Sequence, residues 1–393
     1  MSVLEQWSRL AGFFNLSALE RRKALLSLPI GLSEEDFHLA DLGLSLADAD
    51  LISENVVATF GLPLAIAANF IVDDTPVLVP MVTEEPSIVA ACSKMAKLVS
   101  KNGGFFTNVD RSLIKGQIQL YQLRDIDKAI AAIHTHKEDL LHWAQGECRS
   151  MSDRGGGVVD ITFRLLPCKK IGPMLIVEPM MDVIDAMGAN TINTLVEKLA
   201  RRLGPLVDGQ IGLRILSNLC DQRLARARCQ IALEAISPSF SKMLAAHAFA
   251  EADIYRGATH NKGILNGIDA VALATGNDFR AIEAGAHAYA AYQGAYRPLT
   301  AMWVDEEANT LCAELTLPLA VGVVGGLVNR HHGVKLAHKI LGKFANSAKG
   351  LASVMASVGL SQCLAALYAL TNEGIQQGHM KLHQKKLAVD RLC

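Results

Sequence analysis

The stretch "GQIQLYQLRDIDKAIAAIHTHKEDLLHWAQG" (116–146) passes from an alternating strand pattern directly into a helical one. It opens a series that continues with "GGGVVDITFRLL" (155–166), "GPMLIVEPMMDV" (172–183), "NTINTLVEKLARRLGPLV" (190–207) and "QIGLRILS" (210–217). The order is strand, helix, two strands, helix, strand, which is the β-α-β-β-α-β pattern of a ferredoxin-like module. Residues 112–217 therefore read as a small domain inserted into a larger one, which is formed by 1–111 and 218–372, with 373–393 as a C-terminal segment. A chain of 393 residues has room for this plan at roughly 100 to 200 residues per domain.

Working outward toward the N-terminus, Ser17 and Glu20 form a capping box ahead of "ALERRKALLSL", and Ser33 with Glu34, Glu35 and Asp36 opens another helix. "ANFIVDDTPVLVPMV" (68–82) predicts two strands around a turn at 73–76. "TEEPSIVAACSKMAKLVSKNGG" (83–104) predicts a helix with Pro86 in its first turn and Gly103 and Gly104 at its end. On the C-terminal side, "DQRLARARCQIALEAI" (221–236) and "SPSFSKMLAAHAFAEADIY" (237–255) read as helical. A Gly-dense region and a long Ala-rich helical region, 333–370, follow.

Charges nearly cancel, with 38 Lys and Arg against 39 Asp and Glu, and the basic clusters at 21–23 and 385–386 are short. This is not the electrostatic footprint of a nucleic-acid binder. The apolar runs 60–72 and 315–328 fall short of the ~20 residues of a membrane helix, and Glu5 and Arg9 interrupt the N-terminus where a secretory signal would be apolar. The expectation is a cytoplasmic protein without a membrane or nucleic-acid partner. Eight cysteines stand singly, with no C-x-x-C pair, which predicts reduced thiols and no metal site.

Five segments could carry chemistry, one of which, "RGGGVVD" (154–160), reads equally as a bulge and as a phosphate-facing loop. In "RGATHNKGILNG" (256–267), Lys262 is surrounded by Gly and Asn, which admit close backbone approach and offer amide hydrogen bonds; a plain turn between helices with a solvated lysine is the competing reading. Asp278 in "ATGNDFRAIEAG" suits a helix N-cap as readily as a catalytic role. "DAMGANTINT" (185–194) places Gly188 and Asn190 just before an amphipathic helix with apolar Ile192, Leu195, Val196 and Leu199, a favourable place for a phosphate. It lacks G-x-G-x-x-G, so no Rossmann fingerprint is present. "TEEPS" (83–87) sets two carboxylates at a helix start, where Glu85 could donate a proton if burial raised its pKa.

Taken together with "ENVVATFGLPL", "VLVPMVTEEPSIVAA", "RILSNLCDQRLARA", "PLAVGVVGG" and "VGLSQCLAALYALTNEGIQQGHMKLH", these segments resemble the class II, bacterial-type 3-hydroxy-3-methylglutaryl-CoA reductases from residue 8 almost to the end. The resemblance implies an α+β fold. Its parts are a large mixed helical and sheet CoA-binding domain, an inserted non-Rossmann, ferredoxin-like nucleotide-binding domain, and a C-terminal flap. It implies reduction of the HMG-CoA thioester to mevalonate and CoA by two hydrides from NAD(P)H, in a homodimer or higher homo-oligomer with active sites at the subunit interface. Carried onto this sequence, the catalytic residues are Glu85, Lys262, Asp278 and His379. Ser87, Arg256 and Asn266 contact the HMG portion, and Asp185, Met187, Gly188 and Asn190 face the dinucleotide.

Two departures qualify these expectations. NAD-preferring relatives carry an acidic residue shortly before "GGG", whereas this chain has "GECRSMSDRGGG", where Arg149 favours a 2′-phosphate and hence NADP(H) over NAD(H). Glu147 or Asp153 could restore the NAD preference. The chain also ends fourteen residues after His379, which predicts a truncated flap, a loosened histidine and lowered turnover with substrate binding retained. The rival expectations are the same enzyme run oxidatively with NAD, and a weakened CoA-thioester-binding paralogue.

Overall fold

The computed structural model describes residues 10, 12–326, 328 and 330–372. His379 and the rest of the expected flap, 373–393, lie outside them. The helices are α1 (Ala18–Leu26), α2 (Glu34–Leu42), α3 (Leu46–Ile52), α4 (Ile88–Ser100), α5 (Ile126–Thr135), α6 (Lys137–Glu147), α7 (Arg149–Ser152), α8 (Ala189–Leu203), α9 (Phe240–Ala252), α10 (Ile254–Ala274), α11 (Phe279–Ala290), α12 (His332–Leu341) and α13 (Ala348–Asn372). The strands are β1 (Leu64–Val72), β2 (Thr75–Val82), β3 (Phe106–Val109), β4 (Leu113–Tyr121), β5 (Gly157–Leu166), β6 (Met174–Asp182), β7 (Gln210–Leu216), β8 (Leu224–Ala232), β9 (Thr300–Asp305) and β10 (Thr310–Pro318).

The last four-stranded sheet runs β5-β6-β4-β7 with every pairing antiparallel. This is the ferredoxin-like order, and it follows from the alternation that the sequence shows. Ile114, Ile118 and Leu120 of β4 are buried, as are Ile192, Leu195, Val196 and Leu199 of α8, and they share one core with Ile133 and Leu140. Gly116 lets α8 sit against the sheet, since a β-carbon there would overlap the Val196 side chain.

A larger core gathers the β1-β2 hairpin, the sheet β3-β8-β10-β9, and α4, α10, α11 and α13. The hairpin turns on Asp73 and Asp74, with φ of 46° and 59°. Two successive left-handed residues make the turn whose twist matches that of the flanking strands. Both N-terminal capping boxes form, Ser17 with Glu20 and Ser33 with Asp36.

Three expectations need correction. Residues 224–232 form β8, a central strand between β3 and β10, not a helix. Ala and Arg are good helix formers, but intrinsic propensity is a weak force, and pairing on both edges with Ala225, Ala227, Cys229 and Ile231 buried overrides it. Pro86 lies ahead of α4 rather than in its first turn, because Ser87 precedes the helix at φ 77°. Finally, α13 exceeds the apolar runs weighed in the sequence. It is long and apolar enough to cross a membrane, yet 89% of its most apolar window is buried inside the protein, where Leu351, Val354, Met355, Val358, Leu360 and Leu364 complete the main core.

Candidate active site

The glycines of 256–267 do not interrupt α10, so the turn reading for Lys262 is overturned. Each mid-helix Gly costs about 1 kcal/mol relative to Ala. Packing offsets this where the backbone must come close: a β-carbon at Gly267 would stand 2.9 Å from Val358 Cγ1 and 3.1 Å from Gln362 Cβ, so the glycine is what allows α13 to lie against α10. The straight helix sets Lys262, Asn266 and Asp269 at i, i+4 and i+7 along one face.

Opposite that face lies the turn after β2. Glu85 is placed by the donation of its N–H to Thr83 Oγ1 at 3.2 Å, and its Oε2 receives Lys262 Nζ at 3.2 Å. Both side chains keep access to solvent, 39% for Glu85 and 60% for Lys262, so a substrate can reach the pair. Ser87 follows in the left-handed region without a side-chain capping bond. A non-Gly residue held there is strained, and such strain clusters at functional positions.

Asp278 does cap a helix, accepting from Ala281 N–H at 3.2 Å, and its carboxylate lies 3.5 Å from Arg280. It does not meet Lys262 within one chain. Twelve residues of α10 separate Lys262 from Ala274, a rise of ~18 Å, and Asp278 comes after that end. The acid nearest to Lys262 along the helix is instead Asp269. Its carboxyl is pushed up to about 8, by burial first and then by the Glu283 carboxylate, with Lys262 opposing. Its Oδ1 is enclosed without a hydrogen-bond partner. Sequence reading missed Asp269, although its i+7 spacing from Lys262 was visible.

Arg256 begins α10, where its N–H is capped by Asp253 at 2.8 Å. Burial holds the neighbouring His260 down to about 3 and therefore neutral, with His247 and Arg256 adding to the effect.

The loop between β6 and α8 carries the expected dinucleotide-facing residues. Gly188 precedes α8 at φ 97° with no side-chain cap, and a β-carbon there would lie 2.6 Å from Val183 Cγ1. The first-turn N–H groups of α8 therefore have no capping side chain from the residue before them, as an anion site requires. Met187 is half-buried and Asn190 exposed. Asp185 has a structural engagement: its Oδ1 accepts from Ala348 N–H at 2.9 Å at the start of α13. Beneath the loop, Arg223 is buried and donates to Ala186 O and Met187 O, each at 3.2 Å, and to Val321 O. Burial pulls its pKa down to about 10, with the Cys220 thiol and the carboxylates of Asp182 and Asp185 opposing.

Arg149 is exposed at the start of α7. Glu147 beside it is taken by Lys198 of α8, with Nζ 2.6 Å from Oε2. Among the described residues, no cluster of three metal-ligating side chains forms.

A family model described as hydroxymethylglutaryl-coenzyme A reductase matches residues 17–384. The 3-hydroxy-3-methylglutaryl-coenzyme A reductase of Archaeoglobus fulgidus is 46% identical over 386 residues, covering 97% of this chain and 87% of that protein. The probable 3-hydroxy-3-methylglutaryl-coenzyme A reductase of Borreliella burgdorferi is 31% identical, covering 95% of this chain and 85% of that one. Among solved structures, the class II reductase of Streptococcus pneumoniae bound to NADPH in open conformations superposes with a TM-score of 0.87 at 40% identity, covering 92% of this chain and 99% of that one. A second structure of the enzyme from that organism gives a TM-score of 0.89 at 41% identity, covering 97% of this chain and 91% of that one.

Proposed function

The chain belongs to the class II hydroxymethylglutaryl-coenzyme A reductase family, and we propose that it reduces the thioester of HMG-CoA to mevalonate and free CoA in isoprenoid biosynthesis. The observation that carries this reading is the 3.2 Å approach of Lys262 to Glu85 beside Asn266, an ammonium and a carboxyl on an accessible face. Two hydrides and two protons are consumed. NAD(P)H held at the 185–190 loop would supply the hydrides, its phosphates at the N-terminus of α8 and its backbone close to Gly188.

Lys262 stabilises the oxyanion that forms at the thioester carbonyl, where a fixed cation is worth most in the transition state. His379 protonates the departing CoA thiolate, a task for which an imidazole titrating near neutrality is suited. Glu85 in its protonated form donates to the aldehyde oxygen in the second reduction. Ser87, Arg256 and Asn266 hold the HMG portion, the Arg256 guanidinium donating to the HMG carboxylate.

The large domain comprises 1–111 and 218–372, the cofactor domain 112–217, and the flap 373–393. Because α10 separates Asp278 from Lys262 within one chain, a second copy brings its Asp278 to the pair, and the working unit is a homodimer or a higher assembly of dimers. Val57 and Phe60, each 90% exposed, support this, since such side chains are ordinarily covered by a partner. NADPH is the preferred donor, because Arg149 is available to a 2′-phosphate while Glu147 is held by Lys198. We place the reaction in the cytoplasm, where the seven unpaired cysteines among the described residues stay reduced.

The test is to follow oxidation of NADPH and of NADH separately with HMG-CoA, and to identify mevalonate as the product. Binding of HMG-CoA without oxidation of either cofactor would sink the reading.

A further inference from the structure

Gly322 stands between two loops that the proposed reaction needs in register. On one side Asn277 grips its backbone at both ends: Gly322 N–H donates to Asn277 Oδ1 at 2.8 Å, and Asn277 Nδ2 donates to Gly322 O at 3.1 Å. The same Nδ2 donates to Thr275 Oγ1 at 3.0 Å, which fixes the amide plane. On the other side, a β-carbon at Gly322 would lie 2.5 Å from Met187 N and 3.0 Å from Ala186 C, so the two backbones are in direct contact. Val323 N–H donates to Asp185 O at 2.9 Å, and Arg223 ties Ala186, Met187 and Val321 together from beneath. A continuous path thus runs from the residue before Asp278, through Gly322, to the loop of Asp185, Met187 and Gly188.

We propose that Asn277 is a positioning residue of the reductase reaction: by clamping Gly322 it fixes Asp278 in register with the dinucleotide-facing loop, while Arg223 fixes the other side of the same strut. This rests on the assignment of Asp278 and 185–190 proposed above and adds to it how the two are held. An asparagine is the side chain of this length that offers both a donor and an acceptor to the two peptide groups that flank one residue. Alanine offers neither, and aspartate keeps only the acceptor and turns a carboxylate toward two oxygens. The clamp bears on rate because hydride transfer requires near-attack geometry, where a displacement of about 1 Å costs on the order of a hundredfold.

The experiment compares the full-length wild type with Asn277→Ala, Arg223→Lys and the double variant, with kinetic constants expressed per folded molecule after thermal melting and size analysis. Asn277→Ala is expected to lower kcat about ten- to a hundredfold, to raise the KM for NADPH, and to leave the KM for HMG-CoA within about twofold, a split that lost folding alone does not produce. The double variant should cost about as much as the worse single one, because both act through the same strut. Should Asn277→Ala not fold, Asn277→Asp, which keeps the acceptor for Gly322 N–H and loses the donor to Gly322 O, is read in the same way. The proposal falls if kcat per folded molecule is unchanged in these variants, or if the losses at 277 and 223 multiply independently. A wild type that oxidises neither cofactor with HMG-CoA overturns the functional reading itself, which separates the two failures.

Discussion

Lys262 and Glu85 are 177 residues apart in sequence, and the lysine Nζ is 3.2 Å from the glutamate Oε2. The ammonium and the carboxyl are therefore already together within one chain. Lys262→Ala is expected to lower kcat about 10²- to 10³-fold, the loss typical of one oxyanion donor, with the KM for HMG-CoA changed only a few-fold. Steady-state oxidation of NADPH checks this, and a loss confined to KM would contradict it.

The same pair contributes little to folding. With 39% and 60% of the two side chains exposed, solvent screens most of the attraction. Replacing both by alanine should change unfolding stability by less than about 1 kcal/mol. Denaturant melts showing a much larger loss would mean that the pair is structural rather than catalytic.

Cofactor choice should reside at Arg149. Arg149→Ala is expected to raise the KM for NADPH about tenfold, the worth of one charge-assisted contact to a 2′-phosphate, and to leave the KM for NADH unchanged. Parallel kinetics with the two cofactors decide the matter; equal shifts in both would remove Arg149 from the site.

Stability should depend on pH through Asp269. Burial and the neighbouring Glu283 carboxylate push its carboxyl up to about 8 in the fold, against about 4 in an unfolded chain. Between those values the folded chain holds a proton that the unfolded one has released, so this group's contribution falls as pH rises from about 4 to about 8 and is level above that. His260, held down to about 3, acts in the opposite sense, losing stability as pH falls below about 6.5. Asp269→Asn isolates the first effect: its melting temperature should gain on the wild type steadily from pH 5 to pH 8. A gap that stays constant with pH would refute the assignment.

Close packing of α10 on α13 should make Gly267 intolerant of change. Gly267→Ala gains up to about 1 kcal/mol of helix propensity, but the new methyl meets Val358 Cγ1 at 2.9 Å. Overpacking of this kind costs typically ~1–3 kcal/mol, and the β-branched Val358 has little rotamer freedom with which to yield. Net destabilisation is expected in urea melts, and an unchanged midpoint would show that the helices can move apart.

Much of this was legible before any coordinates. Ser17 with Glu20, Ser33 with Asp36, and the buried stripe Ile192, Leu195, Val196 and Leu199 all fall where local pattern puts them, because capping and amphipathicity are short-range physics. Residues 224–232 were not legible, since Ala and Arg carry no strand signal and only pairing with β3 and β10 makes them a strand. The helix through Lys262 was obscured for the converse reason: Gly257 and Gly267 mark close contact with neighbouring helices rather than a turn.

Local pattern sets the alternation of strands and helices that makes the ferredoxin-like sheet, the family resemblance, and the residue types available for acid–base and oxyanion work. Which of them meet is a matter of the folded chain. It joined Lys262 to Glu85, set Asp269 on the same helical face, held Asp278 beyond the end of α10, and locked Asn277 to Gly322. The reason is physical: periodicity fixes what one element shows to its surroundings, whereas contacts between residues far apart in sequence depend on how close the helices and loops can approach, and small residues such as Gly267 and Gly322 set that distance.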